Sequence, residues 1–421
     1  MFEPNTNYPV VLVPGVLGYG DQSFATKVLP YFGMTAGSVE KTIKSLNMDC
    51  FTATFGALSG IWDRACELYA QIKGGTVDYG KAHSEKYGTS RFGRTYEGFC
   101  PNFGEGEDNK VTLIAHGFGV PVARLLIYLM ANGSKKEQAA GGKDMSDLFA
   151  GGHTTAVHAL VSLAGINDGT TFLQALEYRL PGTYRALTIG GLAYSQIDSL
   201  LHGGILKNHS VTSRHGNLLK LDFQKAGSFK DKLGLNESAV DGYLANTRDN
   251  LFWELTTDGM AEFNKCVRIN PETYYIAYTG EVTRDYGELL PERKVLGKHD
   301  TVMVARDTSR PSFVLPDRSA GLLAPAAALM CTFKNYLPDA PLVTPAMAPN
   351  DGMVNTDFSL APTTEEALGF QSAEACEPGV WYQMPVEAKN HLRFLGLGVR
   401  PDTYRNEIYD MMAIIAKLPK Y

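Results

Sequence analysis

Residues 111–130 read VTLIAHGFGVPVARLLIYLM, and this stretch decides the fold. The five residues from Val111 to Ala115 are mostly apolar and are typical of a buried strand. The segment from Val120 to Met130 has the length and apolar spacing of a helix. Only Gly117, Phe118 and Gly119 separate the two after His116, and glycines are frequent in tight turns. The stretch therefore predicts a strand that passes through one sharp turn directly into a helix.

This unit is unusual at one position of its turn. It resembles the nucleophile elbow of α/β-hydrolases, where a serine on a sharp turn links a central strand to a helix and a small residue follows two positions later. His116 and Gly119 match the flanking positions, and Gly117 stands where the serine is expected. We therefore predict an α/β-hydrolase fold with Gly117 at the nucleophile position.

Strand-like and helix-like segments alternate along the rest of the chain, which predicts a doubly wound, mostly parallel sheet in a single domain over residues 1–421. The apolar segment at 154–163 is expected of a strand covered on both faces. The polar segment at 133–142 is predicted to be a loop. The other predicted strands lie at 8–13, 50–54 and 270–279, and the other predicted helices lie at 36–46 and 62–72.

Composition argues against several classes of protein. Of the 421 residues, 44% are apolar and 20% are charged, as in ordinary globular proteins. The net charge of −6 gives no electrostatic reason to expect nucleic acid. No apolar run reaches the roughly 18 residues that a transmembrane helix needs, and no signal peptide is visible before the first predicted strand. The six cysteines lack the CxxC spacing of a zinc ribbon.

Residues 170–250 interrupt the alternation of strands and helices. They contain amphipathic helical stretches with a wide apolar face, of which Phe172, Leu173 and Leu176 are the first members. Hydrolases build lids from insertions that follow a central strand, and paired glycines such as Gly190-Gly191 suit the hinges of a lid. We predict a helical lid over 170–250. The alternative is a helical subdomain packed on the core.

Candidates for the acid and the histidine follow the elbow in the order that this fold requires, namely nucleophile, acid, histidine. Asp351 lies in a turn-prone Asn-Asp-Gly segment, and His391 lies in Asn-His-Leu. In such a triad the histidine takes the proton of the nucleophile and the aspartate holds the imidazole in the correct tautomer. Either residue alone is commonly a polar loop residue. Their order and context predict Asp351 as the acid and His391 as the base.

An oxyanion hole requires two backbone N–H groups directed at the developing negative charge. One comes from the residue after the nucleophile, here Phe118. The other comes from the loop that follows the first strand, and Val16 is the candidate because it follows Gly15 in that loop. The alternative, an ordinary glycine-rich turn, is weaker because the loop follows the strand directly. Phosphate binding is not expected there, since neither GxGxxG nor GK[ST] is present.

Several separate segments carry a resemblance to one family. They are Trp62–Ala65, Gly75–Gly80, Ala82-His83, Arg91–Tyr96, Asp168–Thr171, Asn350–Asn355 and His391-Leu392. Over most of its length the chain resembles the zinc-containing bacterial true lipases of the thermophilic-bacillus type (lipase family I.5). The resemblance implies a zinc-lipase-type insertion at residues 55–100 that forms a small extra metal-site subdomain. It also implies a lipid or ester substrate with an apolar acyl chain, reached under a movable lid or at a lipid interface. Secretion is implied as well, although a cytoplasmic location stays open.

The same resemblance implies a structural zinc site with two aspartates and two histidines. Asp63, His83 and Asp249 match three ligand positions, and Thr89 stands where the second histidine is expected. Zinc prefers imidazole, thiolate and carboxylate ligands in a tetrahedron, and a neutral threonine is a poor ligand. Zinc is therefore a candidate cofactor held by three residues, with a water or a neighbouring group such as Tyr87 or Glu85 completing the tetrahedron. The alternative is an ion pair of Asp63 with an arginine, beside a hydrogen-bonded His83.

The family also carries a calcium near the triad histidine, with a glutamate two residues after that histidine. Arg393 occupies that position here. A guanidinium repels a hard cation that prefers oxygen ligands, so calcium is not expected at this site. An ion pair of Arg393 with a nearby carboxylate such as Asp402 is expected in its place.

Gly117 leaves two interpretations of the function open. Glycine has no side chain to attack a substrate, and loss of the serine from a triad typically costs about 10⁶ in turnover. The first interpretation is an inactivated serine carboxylester hydrolase, since the contexts of the acid and the histidine are intact. The second is a natural pseudoenzyme that binds an acyl ligand or a partner. A different nucleophile, such as Ser90 or Cys100, lies outside any elbow pattern and is disfavoured. Either way, the chain as it stands is expected to be nearly inactive.

Overall fold

The computed structural model describes residues 8–21, 23, 25–106, 108–191, 241, 244, 248–285, 314–332 and 347–420. Its strands are β1 (Val10–Val13), β2 (Cys50–Thr52), β3 (Gly75–Asp78), β4 (Phe92–Tyr96), β5 (Val111–His116), β6 (Val157–Leu163), β7 (Tyr274–Tyr278), β8 (Thr283–Asp285), β9 (Val314–Pro316), β10 (Ala367–Gly369) and β11 (Trp381–Gln383).

Seven of these strands form the central sheet in the order β10-β11-β7-β6-β5-β1-β2. Every neighbouring pair in it is parallel. The chain adds β2 on one side of β1 and β5 on its other side, so the direction of winding changes between β1 and β5. The carboxyl ends of parallel strands at such a point form the usual ligand crevice. The predicted doubly wound parallel sheet of an α/β-hydrolase is confirmed.

Helices cover both faces of this sheet. They are α1 (Ala25–Val28), α2 (Val39–Lys44), α3 (Ile61–Lys73), α4 (Lys81–Tyr87), α5 (Gly119–Asn132), α6 (Lys135–Gly141), α7 (Phe172–Arg179), α8 (Leu251–Glu254), α9 (Thr257–Cys266), α10 (Ala324–Thr332), α11 (Thr356–Ser359) and α12 (Pro401–Lys417). Among the described residues, no helix combines the length and the apolar character that a membrane crossing requires.

The alternation of side chains along β1 shows how the two faces are filled. Val11 and Val13 belong to the apolar core that contains α3 and α5. Val10 and Leu12 belong to the core that contains α2 and α12. All four residues are fully buried. A strand whose successive side chains enter opposite cores is apolar throughout, which explains why β1 has no polar alternate position.

Residues 55–100 fold around a separate two-stranded antiparallel sheet. The strands β3 and β4 pair with each other and not with the central sheet. Helix α3 precedes this hairpin and packs on α5, and α4 connects its two strands. The segment thereby holds Asp63 on α3 and His83 on α4.

The prediction of a loop at 133–142 is wrong, because most of that segment is helix α6. The side chain of Ser134 caps the helix by accepting from the backbone N–H of Glu137 at 3.4 Å. The buried carboxylate of Glu137 accepts from the backbone N–H groups of Ala82 and His83 at 2.9 and 2.8 Å. A polar segment becomes helical here because its acid satisfies the N–H groups at the start of α4, a tertiary contact that the local pattern could not indicate.

The segment predicted as a lid, 170–250, is described at its two ends. Helix α7 lies at its start and packs against α10. After a turn at 181–182 a separate helix spans 183–191, and 248–250 lead into α8. Residues 192–240, 242–243 and 245–247 lie outside the described residues, so the lid stays a prediction.

Candidate active site

The elbow turns sharply at the end of β5. Gly117 has φ of +52°, in the left-handed region that favours glycine. Its N–H donates to the Leu163 carbonyl at 3.1 Å, and its carbonyl accepts from Ile166 at 3.2 Å. A Cβ on Gly119 would lie 2.3 Å from the Val13 carbonyl oxygen, so the approach of α5 to β1 requires glycine there. These constraints reproduce the predicted strand–turn–helix unit.

Position 117 faces His391. A Cβ built on Gly117 would lie 3.0 Å from Nε2 and 3.3 Å from Cε1 of the His391 ring. Apart from the neighbouring residues of the chain, those two atoms are the only described heavy atoms within 4 Å of that point. A side chain at this position would therefore begin within reach of the imidazole.

Asp351 holds the other side of that imidazole. Its Oδ2 accepts from Nδ1 of His391 at 2.8 Å, and Oδ1 accepts from the N–H groups of Met353 and Val354 at 2.9 and 2.7 Å. The backbone N–H of His391 also donates to the Asp351 carbonyl at 3.0 Å. Because an ionised carboxylate only accepts, the proton of a neutral imidazole lies on Nδ1 and the lone pair of Nε2 faces position 117.

The two predicted oxyanion donors lie on either side of the elbow. A Cβ on Gly15 would lie 3.2 Å from the Phe118 nitrogen, so the loop after β1 passes directly beside that amide. Phe118 is also the N-cap of the 14-residue helix α5, whose N-terminal end favours negative charge. The backbone N–H groups of Val16 and Phe118 have no acceptor within the described part of the chain.

Two residues that the sequence did not single out hold the loop of Val16. The N–H of Gly15 donates to the Tyr31 hydroxyl at 2.9 Å, and the Gly15 carbonyl accepts from Nη1 of buried Arg64 at 2.6 Å. In a trans peptide the carbonyl and the following N–H point in opposite directions. By fixing the Gly15 carbonyl, Arg64 therefore fixes the direction of the Val16 N–H. Arg64 lies within a family stretch, whereas no local signal marks Tyr31.

His116 connects that loop to the histidine. Its Nδ1 lies 3.0 Å from the Tyr31 hydroxyl, and its Nε2 lies 3.2 Å from the backbone carbonyl of His391. A carbonyl only accepts, so Nε2 carries the proton and Nδ1 accepts from Tyr31. Burial, and then the charge of nearby His391, hold the pKa of His116 well below its usual 6.5. A neutral His116 thus links Gly15, Tyr31 and His391.

Because His116 is buried and neutral, we expect the free energy of unfolding to depend on pH. Unfolded histidine protonates near pH 6.5, whereas native His116 stays neutral and burial lowers the pKa of His158 to about 3. The unfolded chain therefore binds more protons below pH 6.5, so each histidine lowers the free energy of unfolding as the pH falls. The slope is up to about 1.4 kcal/mol per pH unit for each group.

Urea unfolding at pH 7.5, 6.5 and 5.5 measures this slope. We expect the free energy of unfolding to fall less steeply below pH 6.5 in His116→Gln and in His158→Gln, by a similar amount, because each variant removes one buried neutral imidazole. His158 lies on β6 away from the elbow, so it controls for effects of the site. If the free energy of unfolding falls equally steeply below pH 6.5 in the parent and in His116→Gln, native His116 is not neutral.

The three predicted zinc ligands also come together. Nε2 of His83 lies 3.6 Å from Oδ1 of Asp63 and 3.4 Å from Oδ2 of Asp249. Both carboxylates are buried, and Nε2 of His83 is a buried atom with no hydrogen-bond partner among the described residues. Trp62 stacks on the His83 ring with centroids 5.1 Å apart. Two carboxylates beside one buried imidazole nitrogen could hold a divalent cation. Thr89 lies just beyond α4, where its N–H donates to the Ser84 carbonyl at 3.0 Å.

The expected ion pair between Arg393 and Asp402 is wrong. Asp402 pairs with Arg405 at 3.2 Å. Within the described residues Arg393 forms no ion pair, and its Nε is a buried atom without a hydrogen-bond partner. Asp402 instead opens helix α12, where a residue three positions later on the same helix is its natural partner.

Comparisons with known proteins identify the family of the chain. The family described as "Lipase-like, C-terminal domain" matches residues 6–179. Lipase 2 of Staphylococcus aureus (strain N315) is 30% identical over 408 residues, covering 94% of this chain and 51% of the relative. The chain belongs to the bacterial true lipases of the I.5 type.

Solved structures of this family have the same fold. EstA from Clostridium botulinum has a TM-score of 0.74 and 26% identity, over 100% of this chain and 89% of EstA. Staphylococcus hyicus lipase has a TM-score of 0.73 and 25% identity, over 99% of this chain and 97% of that structure. The chain spans about half the length of the curated relatives it matches, 51% and 54% for two staphylococcal lipases.

Proposed function

We propose that this chain carries the ester-binding and acid–base machinery of a carboxylic ester hydrolase, with the nucleophile position occupied by Gly117. One observation carries the proposal. A side chain at 117 would begin 3.0 Å from Nε2 of His391, whose Nδ1 donates to buried Asp351. In a serine hydrolase of this fold those are the relations of nucleophile, base and acid.

Each residue has a distinct part in that chemistry. With a serine at 117, Nε2 of His391 would take the hydroxyl proton as the oxygen attacks the ester carbonyl. Asp351 stabilises the imidazolium that forms, and the N–H groups of Val16 and Phe118 donate hydrogen bonds to the negatively charged former carbonyl oxygen. The imidazolium then returns the proton to the leaving alkoxide. With glycine at 117 the covalent route is closed, so turnover should be very low.

Apolar surface beside the site supports a substrate with an apolar acyl chain. Val16, whose N–H is one proposed oxyanion donor, and its neighbour Leu17 are 36% and 43% exposed. Leu322 is 82% exposed in a short segment whose Ser319 and Ala320 carbonyls accept from the Asn390 side chain, directly before His391. Exposed apolar groups that border a catalytic histidine are suited to a lipid or ester substrate and to a lipid interface.

The test is turnover of p-nitrophenyl esters by the parent chain and by Gly117→Ser. We expect a burst and sustained turnover from the serine variant and very little from the parent. If the serine variant shows neither, although it folds and melts like the parent, the hydrolase proposal fails.

A second candidate is a non-catalytic protein that binds an acyl ligand or a partner. Two departures from the family favour it, Thr89 at a zinc-ligand position and Arg393 at a calcium-ligand position. They show divergence beyond the elbow. This candidate predicts saturable binding of a long-chain acyl ligand and no gain of turnover from a serine at 117.

We further propose that Asp63, His83 and Asp249 hold a structural zinc, with Thr89 leaving one tetrahedral position to a water. Bound zinc would tie α3, α4 and the segment before α8 together, which stabilises the folded state. The ion takes no part in ester chemistry in this proposal. Calcium is not proposed near Arg393.

Thr89→His is expected to raise the zinc affinity by at least about tenfold, since even loss of an outer contact to a ligand costs about 10–100-fold. Asp63→Ala should abolish the rise of the melting temperature that zinc causes. Titration with zinc, followed by metal analysis and thermal melting, measures both effects. If zinc leaves the melting temperature of both the parent and Thr89→His unchanged, the zinc site is excluded.

The domain organisation belongs to the same proposal. We propose one α/β-hydrolase domain, with 55–100 as the insertion that carries part of the metal site and 170–250 as a helical lid. By the same family resemblance we propose an extracellular location. Limited proteolysis should cut within 170–250 before the central sheet is attacked, and a first cut within a sheet strand would contradict the lid.

A further inference from the structure

The face of Gly117 that a nucleophile would occupy is open to a small molecule. The point where a Cβ would lie has only Nε2 and Cε1 of His391 within 4 Å, besides the neighbouring residues of the chain. Loss of a CH₂OH group thus leaves room for a small hydroxyl compound beside the imidazole.

The imidazole is set up to act on such a molecule. Its Nδ1 proton is engaged by Asp351 at 2.8 Å, which leaves the Nε2 lone pair directed at the space beyond Gly117. Within the described residues Nε2 has no hydrogen-bond partner. His391 is 5% exposed, so the base is largely buried and retains a small solvent-accessible area.

The oxyanion donors remain in place as well. Arg64 and Tyr31 fix the Gly15 peptide, and the N–H of Phe118 lies beside the same loop. None of these contacts depends on a side chain at 117. The base and the oxyanion donors are therefore complete in the absence of a nucleophile on the protein.

We propose that this chain transfers acyl groups directly to a small external nucleophile, water or a short primary alcohol, without an acyl-enzyme. This inference rests on the proposed ester-binding site and names its co-substrate. The natural substrates would be activated esters, such as aryl esters, because a single direct displacement by a weak nucleophile requires a good leaving group.

His391 acts first as base and then as acid in this transfer. The oxygen of water or alcohol forms a bond to the acyl carbon while Nε2 of His391 takes its proton. The former carbonyl oxygen carries the negative charge against the Val16 and Phe118 N–H groups. The bond from the acyl carbon to the leaving oxygen then breaks, and the imidazolium protonates that oxygen. Water yields an acid, methanol yields a methyl ester, and both release the phenol or alcohol of the substrate.

The space beyond Gly117 also sets a size limit. A molecule there must lie against both the Gly117 Cα and the imidazole, where a Cβ already lies 3.0 Å from Nε2. Methanol is about the size of the missing CH₂OH group, but its carbon lies at van der Waals distance from the Gly117 Cα, so its oxygen reaches Nε2 from the side. A branched alcohol such as tert-butanol is too wide to bring its oxygen to Nε2, so the two alcohols should behave differently.

The experiment incubates the parent chain with p-nitrophenyl butyrate and either methanol or tert-butanol at equal concentration, and it measures p-nitrophenol and butyrate esters. We expect methyl butyrate and no tert-butyl ester. His391→Asn should lower the protein-dependent formation of methyl butyrate about 10²-fold, the usual effect of a general base. Gly117→Ala should lower it at least about tenfold, because its Cβ fills the space.

Thermal melting of each variant shows whether it folds. If Gly117→Ala does not fold, His391→Asn alone decides. Methyl ester formation that is unchanged in His391→Asn, or equal for both alcohols, overturns the inference. If that happens while Gly117→Ser gives a burst and turnover, the inference is wrong and the proposed hydrolase site stands. If Gly117→Ser is also inactive, the hydrolase site itself is wrong.

Discussion

Gly117→Ser is expected to raise kcat for an aryl ester by several orders of magnitude, up to the roughly 10⁶ that loss of the serine costs in such triads. The reason is geometric. The backbone already has the φ of +52° of an elbow, and a Cβ at this position would lie 3.0 Å from Nε2 of His391. A hydroxyl at this position needs no rearrangement of the acid, and the imidazole needs to yield by only a few tenths of an ångström.

Gly117→Ala is the matched control. Alanine and serine share the Cβ, its contact with the imidazole and the strain of the left-handed backbone, which costs about 1–2 kcal/mol for a residue other than glycine. We therefore expect both variants to melt at a similar temperature, somewhat below the parent. Only the serine variant should turn over ester by the covalent route. Equal activity of the two variants would show that the hydroxyl is not the nucleophile.

Asp351→Asn in the Gly117→Ser background is expected to lower kcat about 10⁴-fold, the effect of this change in a serine triad. Asparagine can keep Oδ1 as acceptor for the Met353 and Val354 N–H groups, so the turn should survive. Its NH₂ group would replace Oδ2, 2.8 Å from Nδ1 of His391. Nδ1 would then have to accept, and the proton would move to Nε2, where it blocks removal of the serine proton.

Steady-state kinetics with an unchanged melting temperature would separate this effect from unfolding. Asp402→Asn in the same background is the control, because Asp402 is 90% exposed and, among the residues that the structure describes, pairs only with Arg405. It should leave kcat nearly unchanged. A loss of less than tenfold from Asp351→Asn would mean that Asp351 does not set the tautomer of the histidine.

The parts of this protein that sequence could predict are those written in short contiguous patterns. The apolar run at 111–115 followed by a glycine turn and an apolar helix is such a pattern, and the structure has that elbow. Asp351 and His391 were predictable from their order after the elbow. In the structure Oδ2 of Asp351 lies 2.8 Å from Nδ1 of His391. Their catalytic roles stay proposals until the variants are measured.

The parts that sequence could not predict depend on contacts between distant segments. Tyr31 is 85 residues from His116, and nothing near Tyr31 in the chain indicates that its hydroxyl joins that imidazole to Gly15. Helix α6 forms in a polar segment because Glu137 meets α4. The expected partner of Arg393 was wrong because Asp402 has a nearer partner on its own helix.

Covalent labelling by a fluorophosphonate tests the central claim most directly. Such a reagent phosphonylates a serine only when a base activates it and oxyanion donors receive the phosphoryl oxygen. Intact-mass and peptide mass spectrometry of Gly117→Ser should show one phosphonyl group per chain, located at position 117, with none on the parent or on Gly117→Ala. A serine variant that folds but stays unlabelled at position 117 would contradict the account.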